Sequence, residues 1–156
     1  MTPATKYISI IFLGLILFFA ANWWQNSISK ADVDSIKLGN VTFYTSIDNG
    51  INESINQSKP IFLYFRSDAC YWCIRFEEEA LWDPRVIDIL KKNFVLVSID
   101  QIKQKNVAFN LGVRSTPYMI FFTKDGEEIT RVPGYLQTED FLFKLNEVTV
   151  KLERNN

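Results

Sequence analysis

The chain has only two cysteines, Cys70 and Cys73, and at this spacing they form a local pair rather than a framework of long-range staples. They follow the apolar run Ile61-Phe62-Leu63-Tyr64-Phe65 and open a stretch rich in helix formers, with Asp68 placed to cap a helix that begins at Cys70. A sulfur in a first helical turn lies among free backbone N–H groups at the positive end of the dipole, which favours the thiolate. Cys73, one turn further on, is expected to be less exposed and near enough to bridge. Cys70 could then attack a partner disulfide and Cys73 resolve the mixed intermediate, a two-electron exchange.

Other chemistries compete for the same pair. An inert structural bridge is one, although closing so short a loop constrains the unfolded chain little. A zinc or copper centre would want further Cys or His ligands, and the chain has no His at all, so no metal is assigned, although two thiolates could hold Cu(I). Haem attachment would need His at position 74, which is Ile74. The absence of His also removes the usual imidazole base and any Ser-His or Cys-His nucleophile. No cofactor is expected.

The elements that must position the pair can be read from periodicity. Val41 to Tyr44 reads as a short edge strand, Ile47 to Gln57 as a helix with Ile47, Ile51 and Ile55 at four-residue spacing, and Ile61 to Phe65 as a central strand covered on both faces. After the cysteine helix, Pro84 suits the first turn of another, with Val86, Ile87 and Leu90 on one stripe and Lys91 and Lys92 at its cation-favouring end. Phe94 to Ile99 is the next buried strand and residues 102 to 111 a short helix. Tyr118 to Phe122 and Glu128 to Val132 flank Asp125-Gly126 as an antiparallel hairpin. Thr138 caps a last helix with Phe141, Leu145, Val148 and Leu152 along one face. The expected fold is α/β: a mixed sheet of four to five strands, helices on both faces and a hairpin at one edge.

The N-terminus carries an address. Tyr7 to Trp24 holds no charge, and a helix of that length reaches about 27 Å, close to the hydrocarbon thickness of a bilayer. Lys6 precedes it and Asp32 and Asp34 follow, a bias that puts the domain on the extracytoplasmic, periplasmic side. A cleaved signal peptide is the alternative, but cleavage after Ala20 or Ala21 would set bulky Phe18 or Phe19 at the minus-three position. Residues 1–24 are accordingly read as one transmembrane anchor or signal segment, 25–40 as a polar tether, 41–152 as the domain and 153–156 as a tail. The domain is exported on either reading, to a place where disulfides persist. The whole chain has 156 residues, 17 basic against 18 acidic side chains, and 47% hydrophobic residues including 13 Phe. That composition supports one packed core and argues against nucleic acid as a partner.

Several stretches together carry a resemblance. Phe62 to Phe65, Cys70-Tyr71-Trp72-Cys73, Asp83-Pro84-Arg85-Val86 and Thr116-Pro117 resemble the thioredoxin superfamily across about residues 41 to 152. Within it, CIRFEEEALWDPRV followed by FVLVSID is most similar to thioredoxin-like domains related to the C-terminal domain of periplasmic thiol:disulfide interchange proteins. The resemblance implies a thioredoxin-like fold, catalytic Cys70 and Cys73, protein thiols and disulfides as partners, and a cis Thr116-Pro117 bond facing the cysteines and meeting the partner's backbone. From the residues alone, Pro117 could equally be trans at a strand entrance.

Two features depart from the family pattern. Tyr64 stands where the family carries a buried Asp that moves the proton of the second thiol, so that role is vacant or taken by Glu77, one turn beyond Cys73. The competing reading makes Glu77 one of three solvated acids. Tyr71 and Trp72 fill the positions between the cysteines without a cation that would hold the thiolate strongly, so a strongly oxidising poise is not indicated. They either shield the disulfide or form a rim for partner chains. The leading functional expectation is a membrane-tethered dithiol-disulfide exchanger. A non-catalytic binding or assembly module is the second, and copper delivery a third.

Overall fold

The computed structural model describes residues 35–154. The expected span at residues 7–24 and the first part of the tether lie outside them; among the described residues no helix is long and apolar enough to cross a membrane. The strands are β1 (Ser35–Leu38), β2 (Val41–Tyr44), β3 (Ile61–Arg66), β4 (Val95–Asp100), β5 (Tyr118–Phe122) and β6 (Glu128–Pro133). The helices are α1 (Ile47–Gln57), α2 (Tyr71–Glu79), α3 (Pro84–Asn93), α4 (Lys105–Asn110) and α5 (Thr138–Arg154), with a 3-10 turn at Ala80–Trp82.

The strands form one mixed sheet of six, in the order β1-β2-β4-β3-β5-β6. β2, β4 and β3 run parallel, while β1, β5 and β6 are antiparallel to their neighbours. This is a thioredoxin-like α/β fold, with more strands than the four to five expected. The addition is β1, which falls in the stretch read as a tether. Its four residues are too few to display a period, and only Leu38 among them is buried. What makes the hairpin is the turn: Gly39 takes φ +57 between Leu38 and Val41, a backbone state that suits glycine. The Asn40 N–H then donates to the Leu81 carbonyl at 2.9 Å and ties the hairpin to the 3-10 turn. Consequently Val41–Tyr44 is not the edge strand but lies between β1 and β4.

β3 is central, as its unbroken apolar run predicts, and its alternation divides the core. Phe62 and Tyr64 face α2, α3 and α5 and pack among Phe76, Leu90, Phe141 and Leu145. Leu63 and Phe65 face the other way with Val97, Ile99 and Ala108, against α1 and α4. Because β3 and β4 are parallel and β5 runs antiparallel, one end of the sheet collects the loop after β3, the loop after β4 and the entry to β5. The cysteines lie at that end. The helix expected over 102–111 starts only at Lys105, because the Asp100 carboxylate accepts from the backbone N–H groups of Ile102 and Lys103 and holds that stretch as a turn.

Candidate active site

Cys70 is the N-cap of α2 and has an extended backbone, rather than the first helical residue capped by Asp68. Its Sγ accepts a hydrogen bond from the Cys73 backbone N–H at 3.2 Å, so the sulfur itself does the capping. Cys70 and Cys73 are disulfide-bonded, with Cα atoms 5.2 Å apart. Cys70 is half-buried and Cys73 fully buried, the asymmetry a nucleophile and its resolving partner need. Asp68 caps nothing; it is exposed and takes bonds from Arg66 at 2.6 Å and Lys103 at 3.2 Å. Those two cations hold its carboxyl below the usual range.

Tyr71 and Trp72 form the outer wall of the site, 60% and 51% exposed. Their rings meet edge to face at 5.2 Å, and Trp72 packs on Tyr135 at the same separation. The Tyr135 hydroxyl donates to Glu79, which also pairs with Arg75; both partners hold the Glu79 carboxyl low, and the bond to Glu79 raises the Tyr135 phenol. The aromatic wall is thus braced from behind by polar groups.

Thr116-Pro117 is a cis peptide. It immediately precedes β5, whose Tyr118 is in register with Phe65, so it enters the sheet at the end where β3 hands the chain to the cysteine loop. Pro117 is buried and its carbonyl accepts from the Gly134 N–H at 2.9 Å.

Glu77 is not a solvated acid: its side chain is 12% exposed. It lies four residues after Cys73 on α2, hence one turn along the same face. Its Oε1 accepts from the Arg66 Nε–H at 2.6 Å and from the Tyr64 hydroxyl at 3.2 Å. Tyr64 is fully buried against Phe76, ring centroids 5.4 Å apart. Burial foremost, then the neighbouring carboxylate, pushes its phenol well above the ordinary value, so it stays a neutral donor. Arg66 went unremarked in the sequence, though a cation two residues after Tyr64 on an apolar strand points to the same face and is itself a signal. Burial opposes its charge, and the bonds to Glu77 and Asp68 more than offset that. Tyr135 had no local signal, coming from sixty-odd positions away by a loop after β6. Among the described residues no cluster of three or more His, Cys, Asp or Glu is gathered for a metal ion.

A half-buried cysteine at a helix start, bridged to a fully buried one at the end of a mixed sheet where a cis proline also enters, defines the class: a thioredoxin-fold domain with a Cys-x-x-Cys disulfide. The chain belongs to the thioredoxin-like domain family, whose sequence model matches residues 47–149. It is 26% identical over 145 residues to the thiol:disulfide interchange protein DsbD of Photorhabdus laumondii, covering 87% of this chain and 25% of that protein. To the DsbD of Salmonella typhi it is 29% identical over 115 residues, 69% of this chain and 20% of that one. The chain therefore spans about a quarter or less of the length of these relatives. Among solved structures, a thioredoxin from Thermus thermophilus matches with a TM-score of 0.64 and 26% identity, over 69% of this chain and 87% of that one. The oxidised C-terminal domain of Neisseria meningitidis DsbD matches with a TM-score of 0.58 over 67% of this chain and 97% of that one; at 16% identity the likeness is one of fold.

Proposed function

We propose that this domain is a thiol:disulfide oxidoreductase that reduces or exchanges disulfides of partner proteins on the extracytoplasmic side of a membrane, held there by residues 7–24. One observation carries the chemical part: Cys70 is half-buried and caps α2 with its own sulfur, while the fully buried Cys73 is disulfide-bonded to it. In the reduced protein the same amide and the helix dipole favour a thiolate on Cys70. That thiolate attacks a partner disulfide, forming a Cys70–partner bond and expelling the partner's other thiolate. The Cys73 thiol then passes its proton to Glu77, and the new thiolate attacks the Cys70 sulfur, closing the bridge and releasing the second partner thiolate. Two electrons have moved from the pair to the partner.

Tyr71, Trp72, Thr116 and Pro117 are the residues we assign to contact with the partner chain, an aromatic wall on one flank and a backbone edge on the other. The membrane assignment rests on the uncharged stretch and the flanking charges alone. That these relatives are thiol:disulfide interchange proteins supports the chemistry.

Insulin reduction with a dithiol reductant tests the reading. The wild type is expected to reduce insulin and Cys70→Ser to lose the activity, while Cys73→Ala accumulates mixed disulfides on Cys70. A wild type that is inert with every reductant, and that binds partners unchanged when both cysteines are replaced, would make the domain a binding module instead. Labelling of Cys70 in intact cells by a membrane-impermeant maleimide checks the side of the membrane; protection until lysis would overturn it.

A further inference from the structure

Arg66 is a cation that touches both halves of the site. Its Nε–H holds Glu77, on the helix behind Cys73, at 2.6 Å, and its Nη1 holds Asp68, in the loop before Cys70, at 2.6 Å. Its side chain is 9% exposed, Glu77's 12% and Asp68's 67%. The bond to Asp68 is therefore screened by water, whereas the bond to Glu77 is made where charge interactions are strong and placement is strict. Tyr64 adds a second donor to the same Oε1. Both donors thus fix one oxygen of Glu77 and leave Oε2 as the oxygen that can take a proton.

A guanidinium at this depth calls for a reason beyond stability. Burying an ion pair costs desolvation, and apolar side chains of similar volume commonly serve a core as well or better. Here the residue at position 64, one step along the same face of β3, is neutral and packs in the aromatic core, so the carboxylate near Cys73 comes from α2 and must be held from the sheet. We propose that Arg66 is a positioning residue for the second step of exchange: it fixes Glu77 so that the Cys73 proton has a placed acceptor. This rests on the exchange activity proposed above. The step balances as follows: Cys73–SH gives its proton to Glu77, the sulfur's electron pair forms the Cys70–Cys73 bond, and the electrons of the broken mixed disulfide leave on the partner's thiolate.

The two steps can be timed separately with Ellman's disulfide, 5,5′-dithiobis(2-nitrobenzoate), on the reduced full-length protein. The first thionitrobenzoate released reports attack by Cys70 and the second reports resolution by Cys73. Arg66→Met is expected to leave the first release within about twofold and slow the second about tenfold or more, the range that misplacing a proton acceptor commonly costs. Arg66→Lys keeps a charge without the fork and should recover part of the second rate. Glu77→Gln should slow the same step, and adding Arg66→Met to it should slow it no further. Should Arg66→Met not fold, Arg66→Lys with Glu77→Gln completes the same cycle. Equal slowing of both releases, an unchanged second release, or effects of the two substitutions that multiply would overturn the proposal. A wild type that releases no second thionitrobenzoate would instead overturn the exchange activity itself.

Discussion

Position 64 shows how one side chain reorganises its surroundings. A phenol there cannot exchange protons at neutral pH, yet it is fully buried, donates to Glu77, and stacks among Phe43, Phe62 and Phe76. Removing only the hydroxyl, Tyr64→Phe, should cost about 1 kcal/mol in urea unfolding with an unchanged slope, since Glu77 keeps its bond to Arg66; removing the ring, Tyr64→Ala, should cost about 3–5 kcal/mol. The same residue sets an alkaline limit. Its phenol is raised above the ordinary 10.0 by burial and then by Glu77, so the folded state favours the protonated form. Its contribution to stability is fully present below about pH 10 and is lost as pH rises beyond that, where the unfolded chain ionises and the folded one does not. Melting temperatures taken from about pH 9 to 12 should fall less steeply in Tyr64→Phe than in the wild type. Part of the arrangement was legible from residue type and spacing: the bridging pair Cys70 and Cys73, the exposed Tyr71 and Trp72 and the departure at Tyr64, with Glu77 left open between a proton acceptor and a solvated acid. What spacing could not tell was whether Glu77 faced water or Arg66, because the stretch Glu77-Glu78-Glu79 reads as uniformly acidic while only α2's seat on β3 turns one of the three inward.

At the scale of elements, α1 depends on a glycine that helix propensity would disfavour. Gly50 lies mid-helix and is buried against β4, where an added Cβ would fall inside the envelope of the Val97 Cγ2 methyl. Alanine would gain about 1 kcal/mol in propensity, but overpacking a filled core costs about 1–3 kcal/mol, and β4 has no room to yield because Val97 is fully buried. Gly50→Ala should therefore be net destabilising, and Gly50→Ala with Val97→Ala should be more stable than the sum of the two single losses. Chemical denaturation of the three variants checks this; simple additivity would mean the helix shifts freely. α3 offers a second check at the acid end. Asp83 caps it by accepting from the Arg85 N–H and pairs with the Arg85 side chain, which lowers its carboxyl to about 2. A depressed acid stabilises above its unfolded value of 3.8 and loses that contribution as pH falls towards about 2. Asp83→Asn, which keeps the capping oxygen, should show a shallower fall in melting temperature across that window. Such elements were readable because each carries its own signal: Pro84 at a first helical turn, four-residue spacing in α1, an unbroken apolar run at Ile61 to Phe65 in β3 and a largely apolar one in β4. β1 was not, since Ser35 to Leu38 alternates over too few residues and takes its place from the Gly39 turn and the pairing it makes possible.

For the molecule as a whole, the question is where the folded unit begins. Composition drops to polar residues from 25 to 40, which hides the strand at the end of that stretch, yet β1 pairs with β2 along its full length, from Ser35 with Tyr44 to Leu38 with Val41. Leu38 joins the core beside Leu81, and Ile36 packs against the same cluster. Burial of one Leu is worth about 1.5–3 kcal/mol, and Ile36 adds a smaller share. Without β1, β2 becomes the outermost strand, with an unpaired backbone edge facing solvent and a natural template for self-association. A fragment comprising residues 35–156 is therefore expected to fold, to melt as cooperatively as the full chain and to release both equivalents of thionitrobenzoate. A fragment comprising residues 41–156, which keeps Cys70, Cys73 and Glu77, should lose about 2–4 kcal/mol in urea unfolding and show concentration-dependent association in sedimentation velocity. Equal stability of the two fragments would mean that β1 is an accessory to the sheet and that the stabilising boundary lies at Val41.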